Sequence, residues 1–226
     1  MGAILCIETA TPLCSVAVGR GPLLLAERES TGERLAHAEL LNMFVDAVMR
    51  EAGLRMRDLE AVAVGIGPGS YTGLRIGVSA AKGFCHALGI PIIGLGTLET
   101  LVAAAGRSGK SMWPMVDARR MEVFTQEHDG NARPVGAMAP LILDAPWAKG
   151  AGKCFVLGDG ADKAAALWAD HPEVEHVPGV KPHARAMLAL AADRLRSGRV
   201  DDLAYLAPLY GKEANVTQPR KRSASA

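Results

Sequence analysis

No stretch of this chain approaches the roughly 20 consecutive apolar residues that a membrane-spanning helix requires. Neither sign of charge dominates: 25 basic and 24 acidic residues leave a formal net charge of +1. The two signs are interspersed, so no broad field selects nucleic acid or an anionic membrane as partner. Cysteine is scarce as well. Cys6, Cys14, Cys85 and Cys154 form no C-x-x-C pair and lie mostly in apolar segments, which argues against a zinc or disulfide framework and for buried, reduced thiols. The chain runs directly into the strand-like AILCI without a basic leader, and Cys6 stands where a myristoylation signal needs Ser or Thr. The expectation is a cytoplasmic globular protein with no membrane attachment.

The motifs of several enzyme classes are also missing. A metal pair on the first predicted helix would need a second histidine four residues after His37, and Leu41 occupies that place; there is no H-E-x-x-H. The GVSAA around Ser79 imitates a nucleophile elbow but falls inside a predicted helix, and no histidine base accompanies it. The Walker pattern is absent. The dinucleotide pattern fails because Ser70 stands where a third glycine is needed after Gly65 and Gly67. No catalytic residue and no metal ligand is therefore assigned.

What is present is an ordered series of α/β signals. ILCIETA (4–10), CSVAVGR (14–20) and GPLLLAERES (21–30) are short runs rich in Val, Ile and Leu, separated by turn residues, and predict a three-stranded meander. HAELLNMFVDAVMREAG then places Leu40, Phe44 and Val48 on one row and Leu41, Val45 and Met49 on the next, an amphipathic helix stopped at Gly53. LEAVAVGI predicts a buried strand, TGLRIGVSAAKGFCHALG a helix, PIIGL a strand and TLETLVAAAG a further helix. The second half begins in the same way. MWPMVDARR is an apolar strand ending at Asp117, as the first ends at Glu8, and MEVFTQEHDG returns as a strand. This predicts a duplicated strand-acid-turn-strand unit, a further strand, Gly-rich turn and helix in KCFVLGDGADKAAALW, and a terminal helix over 183–198. An α/β sheet covered by helices, in two lobes with a cleft between them, is the expected architecture. The lobes are placed at 1–106 and 107–214, followed by a basic, polar tail at 215–226.

The segment GIGPGSYTGLRIG lies between a buried strand and a helix. Free backbone N–H groups and the helix dipole at such a place can hold an anion, so a phosphate loop is one reading; a tight strand-to-helix turn is the other. Within the helix, Gly73, Gly77 and Ala81 recur at four-residue spacing and leave a smooth groove for a close backbone. That backbone belongs either to a partner protein or to a neighbouring helix of the same chain.

ILCIETATPLCSVAV, HAELL, VAVGIGPGSYTGLRIGVSAAKGFCHALGIPIIGLGTLETL, VDARRMEVF and APLYGK, in that order, resemble the TsaB (YeaZ) family over residues 3 to about 125, with a patchier match beyond. GPGSYTGLRIG is characteristic of that family and its paralogue TsaD. The resemblance implies a two-lobed fold similar to actin, sugar kinases and Hsp70 ATPases. It also implies a role in forming N6-threonylcarbamoyladenosine at position 37 of tRNA. TsaD is the family member expected to transfer the threonylcarbamoyl group, with a metal held by an H-x-x-x-H pair. With Leu41 in place of the second histidine, this chain resembles TsaB more than TsaD.

What the resemblance implies for partners is a heterodimer with TsaD through the N-terminal lobe and recruitment of the ATPase TsaE, with tRNA reached indirectly. The residues it implies at the interface are Leu40, Leu41, Phe44, Val48, Gly73, Ile76, Gly77, Ala80 and Ala81. Those it implies for ATP or ADP, if nucleotide binds, are Glu8, Thr9, Gly67, Gly69, Ser70 and Thr72. A stand-alone nucleotide-binding ATPase and a structural homodimer using the same two helices are the alternatives. Departures from the family pattern fall at Glu8 and Ala10, where ETA replaces DTS, and at HAELLN, where the family has HSExLLP. The GKEANVT after Tyr210 replaces the usual LR ending. The tail residues Arg220, Lys221 and Arg222 are a possible tRNA contact by charge alone.

Overall fold

The strand β1 (Ala3–Glu8) is buried along its whole length, and the reason is visible in its alternation. Ala3, Leu5 and Ile7 face one apolar cluster while Ile4 and Cys6 face another, so both sides of the sheet must be covered. In the computed structural model, residues 2–31 and 36–211 are described, the side chains of 36 and 37 excepted. β2 (Leu13–Arg20) and β3 (Leu23–Thr31) return antiparallel from β1. β4 (Leu59–Gly67) and β5 (Ile92–Gly96) are then added in parallel on the other side of β1, through α1 (Ala36–Glu51) and α2 (Tyr71–Leu88). The order is β3-β2-β1-β4-β5.

The second sheet repeats the first. β6 (Ser111–Asp117), β7 (Glu122–His128) and β8 (Pro134–Ile142) form an antiparallel meander, and β9 (Cys154–Leu157) and β10 (Val174–Val177) join β6 in parallel. Written from its meander edge, the order is β8-β7-β6-β9-β10, the same as in the first lobe. The duplication expected from two acid-ended strands is thus a duplication of whole sheets. Glu8 and Asp117 close the corresponding strands β1 and β6.

Helices separate and flank the sheets. α1 and α2 cover one face of the first sheet, with Leu41, Val45, Val48 and Met49 of α1 and Val78, Ala81 and Cys85 of α2 in the same core cluster. α3 (Thr97–Ala105) sets Leu98, Leu101 and Val102 against Met112, Val116 and Phe124 of the second sheet. The other face of that sheet is closed by α4 (Ala145–Gly150), α5 (Asp159–Asp162) and α6 (Ala165–Ala169) around Trp168. All four cysteines are free and buried.

α7 (Ala184–Arg196) corrects the lobe boundary drawn at 107–214. Met187, Leu188, Ala191 and Ala192 pack beneath Ile4, Ala17, Ala61 and Ile93, on the face of the first sheet opposite α1 and α2. Each large apolar side chain so buried contributes about 1.5–3 kcal/mol, and only this placement covers that face. The chain then runs on along the first lobe: Asp201 accepts from the Gly94 amide at 2.7 Å and Leu209 N donates to the Ile66 carbonyl at 2.7 Å. The tail expected at 215–226 lies outside the described residues.

Candidate functional site

Two turns at the carboxyl ends of β1 and β4 meet at the start of α2. Ser70 caps that helix, its Oγ accepting from Gly73 N at 3.2 Å, the ordinary role of a serine at this position. The Ser70 amide donates to the Ala10 carbonyl at 2.6 Å, and Thr9 Oγ1 donates to the Gly73 carbonyl at 2.8 Å. The glycines of the loop exist to let these backbones touch. A Cβ at Gly69 would overlap the Ala10 carbonyl, one at Gly73 the Thr9 carbonyl, and one at Gly77 the Thr9 hydroxyl. Gly67 (φ +114) has the Leu209 carbonyl against it.

Glu8 lies beneath this meeting point, fully buried. Its Oε1 accepts from the Ala10 amide at 2.7 Å, while Oε2 has no hydrogen-bond partner. Burial pushes its carboxyl up to about 7, against smaller opposing effects of the backbone amides of Ala10 and Thr9. A Cβ at Gly65 would collide with this carboxylate, so β4 is glycine there. In the second lobe Asp117 is half-exposed, paired with Lys163, and accepts from Arg119 N at 2.8 Å. Asp159 accepts from Asp117 N at 3.0 Å, and its carboxyl is raised first by burial and also by the Asp117 charge.

This arrangement does not fit a nucleotide phosphate in the glycine loop. The Ser70, Gly73 and Ala10 amides, which would hold an anion, are taken by the chain's own Ala10 carbonyl, Ser70 hydroxyl and Glu8 carboxylate. The Thr9, Ala10 and Leu209 carbonyls fill the space against Gly73, Gly69 and Gly67, and carbonyl oxygens repel phosphate. Glu8, Thr9, Gly67, Gly69 and Ser70 are thus brought together, but as a self-satisfied joint; Thr72 is exposed on the first turn of α2. The loop follows the tight-turn reading.

The interface residues divide. Leu41, at 2% exposure, Val48, Gly73, Gly77 and Ala81 are buried in the chain's own core, and Thr9 of the same chain fills the space against Gly73 and Gly77. These five residues are corrected to core positions. Leu40, Phe44, Ile76 and Ala80 are half-buried; the last three lie at the edge of the core cluster together with Phe84. Met43 beside them is 64% exposed. An apolar strip therefore runs along the outer side of the α1–α2 layer. At the amino end of α2, Tyr71 stacks on Tyr210 with ring centroids 4.5 Å apart, and Arg75 lies 4.0 Å over Tyr71 and donates from Nε to the Tyr210 hydroxyl at 3.0 Å. In the sequence only the four-residue spacing of Tyr71 and Arg75 signals this group, since Tyr210 joins it through tertiary structure.

The model for TsaD, described as tRNA N6-adenosine threonylcarbamoyltransferase, matches residues 33–145, half of the chain. The tRNA threonylcarbamoyladenosine biosynthesis protein TsaB of Escherichia coli is 27% identical, covering 92% of this chain and 93% of that protein. An uncharacterised protein of Mycobacterium tuberculosis is 35% identical over 93% of this chain and 92% of its own length. The solved structure of YeaZ from Pseudomonas aeruginosa superposes with a TM-score of 0.75 at 26% identity, over 93% of this chain and all of that one. The chain belongs to the TsaB (YeaZ) family. Its fold extends further: the ROK hexokinase of Thermus thermophilus, at 13% identity, superposes with a TM-score of 0.54 over 87% of this chain and all of the hexokinase chain. That likeness concerns the two-lobed architecture alone. Leu41 is buried against the first sheet, so an apolar core side chain stands where an H-x-x-x-H pair starting at His37 would need its second histidine. No helix among the described residues is long and apolar enough to cross a membrane.

Proposed function

We propose that this chain is a non-catalytic partner subunit in threonylcarbamoyladenosine formation at position 37 of tRNA, pairing with TsaD and helping to recruit TsaE. The family supports the process, since its E. coli relative is named for the biosynthesis of that nucleoside. The observation that carries the partner role is the strip of Leu40, Met43, Phe44, Ile76 and Ala80 on the outer side of α1 and α2. Apolar groups in such a row stabilise the assembly only when a second surface removes them from water. A stand-alone ATPase is disfavoured by the self-occupied glycine loop. A role alongside TsaD and tRNA places the chain in the cytoplasm.

Calorimetric titration of TsaD with the wild-type chain and with Met43→Glu and Ala80→Glu variants tests this reading. Both substitutions put a charge on the outer strip, Met43 at an exposed position and Ala80 at the edge of the core cluster, so the fold of each variant is checked by circular dichroism before titration. Binding by the wild type and its loss in the two folded variants is the expected result; undiminished binding by both contradicts it. A second copy of this chain is the competing occupant of the strip, and light scattering of the chain alone distinguishes it.

A further inference from the structure

Glu27 and Glu29 stand two positions apart on β3, so the pleat sends both carboxylates from one face of this edge strand. That face is where α7 begins. The Ala184 amide donates to Ser15 Oγ of β2 at 2.9 Å and pins the first turn of the helix. His183, the residue before it, sets Nδ1 2.7 Å from Glu29 Oε2. Glu27, Glu29 and His183 each bring one potential ligand atom within 4.8 Å of the others, far from the glycine loop in sequence and carried on a strand and a helix end already fixed by packing.

Ion pairing leaves this cluster incomplete. Arg185 Nη1 lies 3.3 Å from Glu27 Oε2 and His183 serves Glu29. Glu27 Oε1, however, is shielded from solvent and has no hydrogen-bond partner, in a side chain only 13% exposed. A shielded carboxylate oxygen without a donor is costly unless a cation meets it. Arg185 approaches the other oxygen and is itself 55% exposed.

We propose that Glu27, Glu29 and His183 bind a divalent transition-metal cation of the zinc class. Two carboxylates and one imidazole are a donor set suited to such an ion, and their two negative charges match its charge. Ligand bonds of about 2.0–2.2 Å require the three groups to draw inward, and the 39% exposed Glu29 side chain has the freedom to do so. The bound ion ties the edge strand β3 to the first turn of α7, a structural brace, with its fourth position left to water.

Zinc chloride titrated calorimetrically into the metal-stripped full chain tests the assignment. One equivalent should bind to the wild type, and Glu27→Gln and Glu29→Gln should each weaken it by at least roughly tenfold. Zinc should raise the melting temperature of the wild type and not of either variant, while His86→Ala, a surface imidazole elsewhere, should change nothing. Glu29 lies on the exposed rim, so Glu29→Gln keeps the test standing if Glu27→Gln fails to fold. Absence of binding, or binding unaffected by both glutamate substitutions, would overturn the proposal and leave the cluster an ion-pair clamp.

Discussion

Thr9 and Gly73 are joined across 64 positions of sequence by one buried hydrogen bond, Oγ1 to carbonyl at 2.8 Å. Through it the turn after β1 fills the groove at the amino end of α2, and this backbone contact adds to the side-chain packing of Val78, Ala81 and Cys85 in setting the helix against the sheet. Gly73 and Gly77 are thus a requirement of the fold itself.

Substitutions along α2 should separate these effects. Gly73→Ala drives a methyl group into the Thr9 carbonyl and should cost at least about 2 kcal/mol of unfolding free energy. Gly77→Ala meets the Thr9 hydroxyl, with the next atoms at 3.5 and 3.6 Å. Combining it with Thr9→Ala should recover most of its loss, whereas the same combination with Gly73→Ala should not. Gly83, also on α2 but with open space around its Cβ position, should gain about 0.5–1 kcal/mol on replacement by alanine. Denaturant unfolding of the five variants supplies the comparison.

Glu8 should make the stability pH-dependent in an unusual direction. Its folded carboxyl is raised from the ordinary 4.5 to about 7, so between those values the folded state holds the proton more tightly than the unfolded chain does. Stability from this group is therefore full below about pH 4.5, falls as pH rises toward 7, and is lost above it, by at most roughly 3 kcal/mol. Glu8→Gln, which keeps an acceptor for the Ala10 amide, should flatten that window. Urea midpoints measured from pH 4.5 to 8 for both proteins decide it; parallel curves would show that Glu8 does not titrate in this range.

The segment ending at Gly211 should open locally when its clasp is cut. Leu209 N donates to Ile66, Tyr210 is held by Arg75 and Tyr71, and Gly211 lies against the Phe124 ring of the second sheet. Arg75→Ala removes the clasp from an exposed position on α2. Hydrogen exchange at the Leu209 amide should become several-fold faster with the global melting temperature little changed. Unchanged exchange would assign the anchoring to the backbone bond alone.

The strands with strong apolar runs, β1, β2, β4, β6 and β9, were legible in the sequence because both sheet faces are buried. β8 was not: Pro134, Gly136 and Pro140 interrupt it, which only an edge strand tolerates. Nor was β10, whose four residues Val174–Val177 carry too short a pattern. The rows on α1 were read correctly as apolar, but periodicity gives no direction beyond the helix, and Val48 faces the sheet while Met43, outside either row, faces water. The glycine loop was legible as a close approach of backbones. That the approaching backbone is the chain's own Thr9–Ala10 turn depended on tertiary geometry, as did the meeting of Glu27 and Glu29 with His183, more than 150 residues away.

The central claim is tested most directly by measuring threonylcarbamoyladenosine formation on tRNA in a mixture of TsaD, TsaE, ATP and the threonylcarbamoyl-adenylate synthase. The mixture is run without this chain, with it, and with its Ile76→Glu variant. Product should form with the wild-type chain and fall to the level of the chain-free mixture with the variant. Equal product in all three would contradict a partner role.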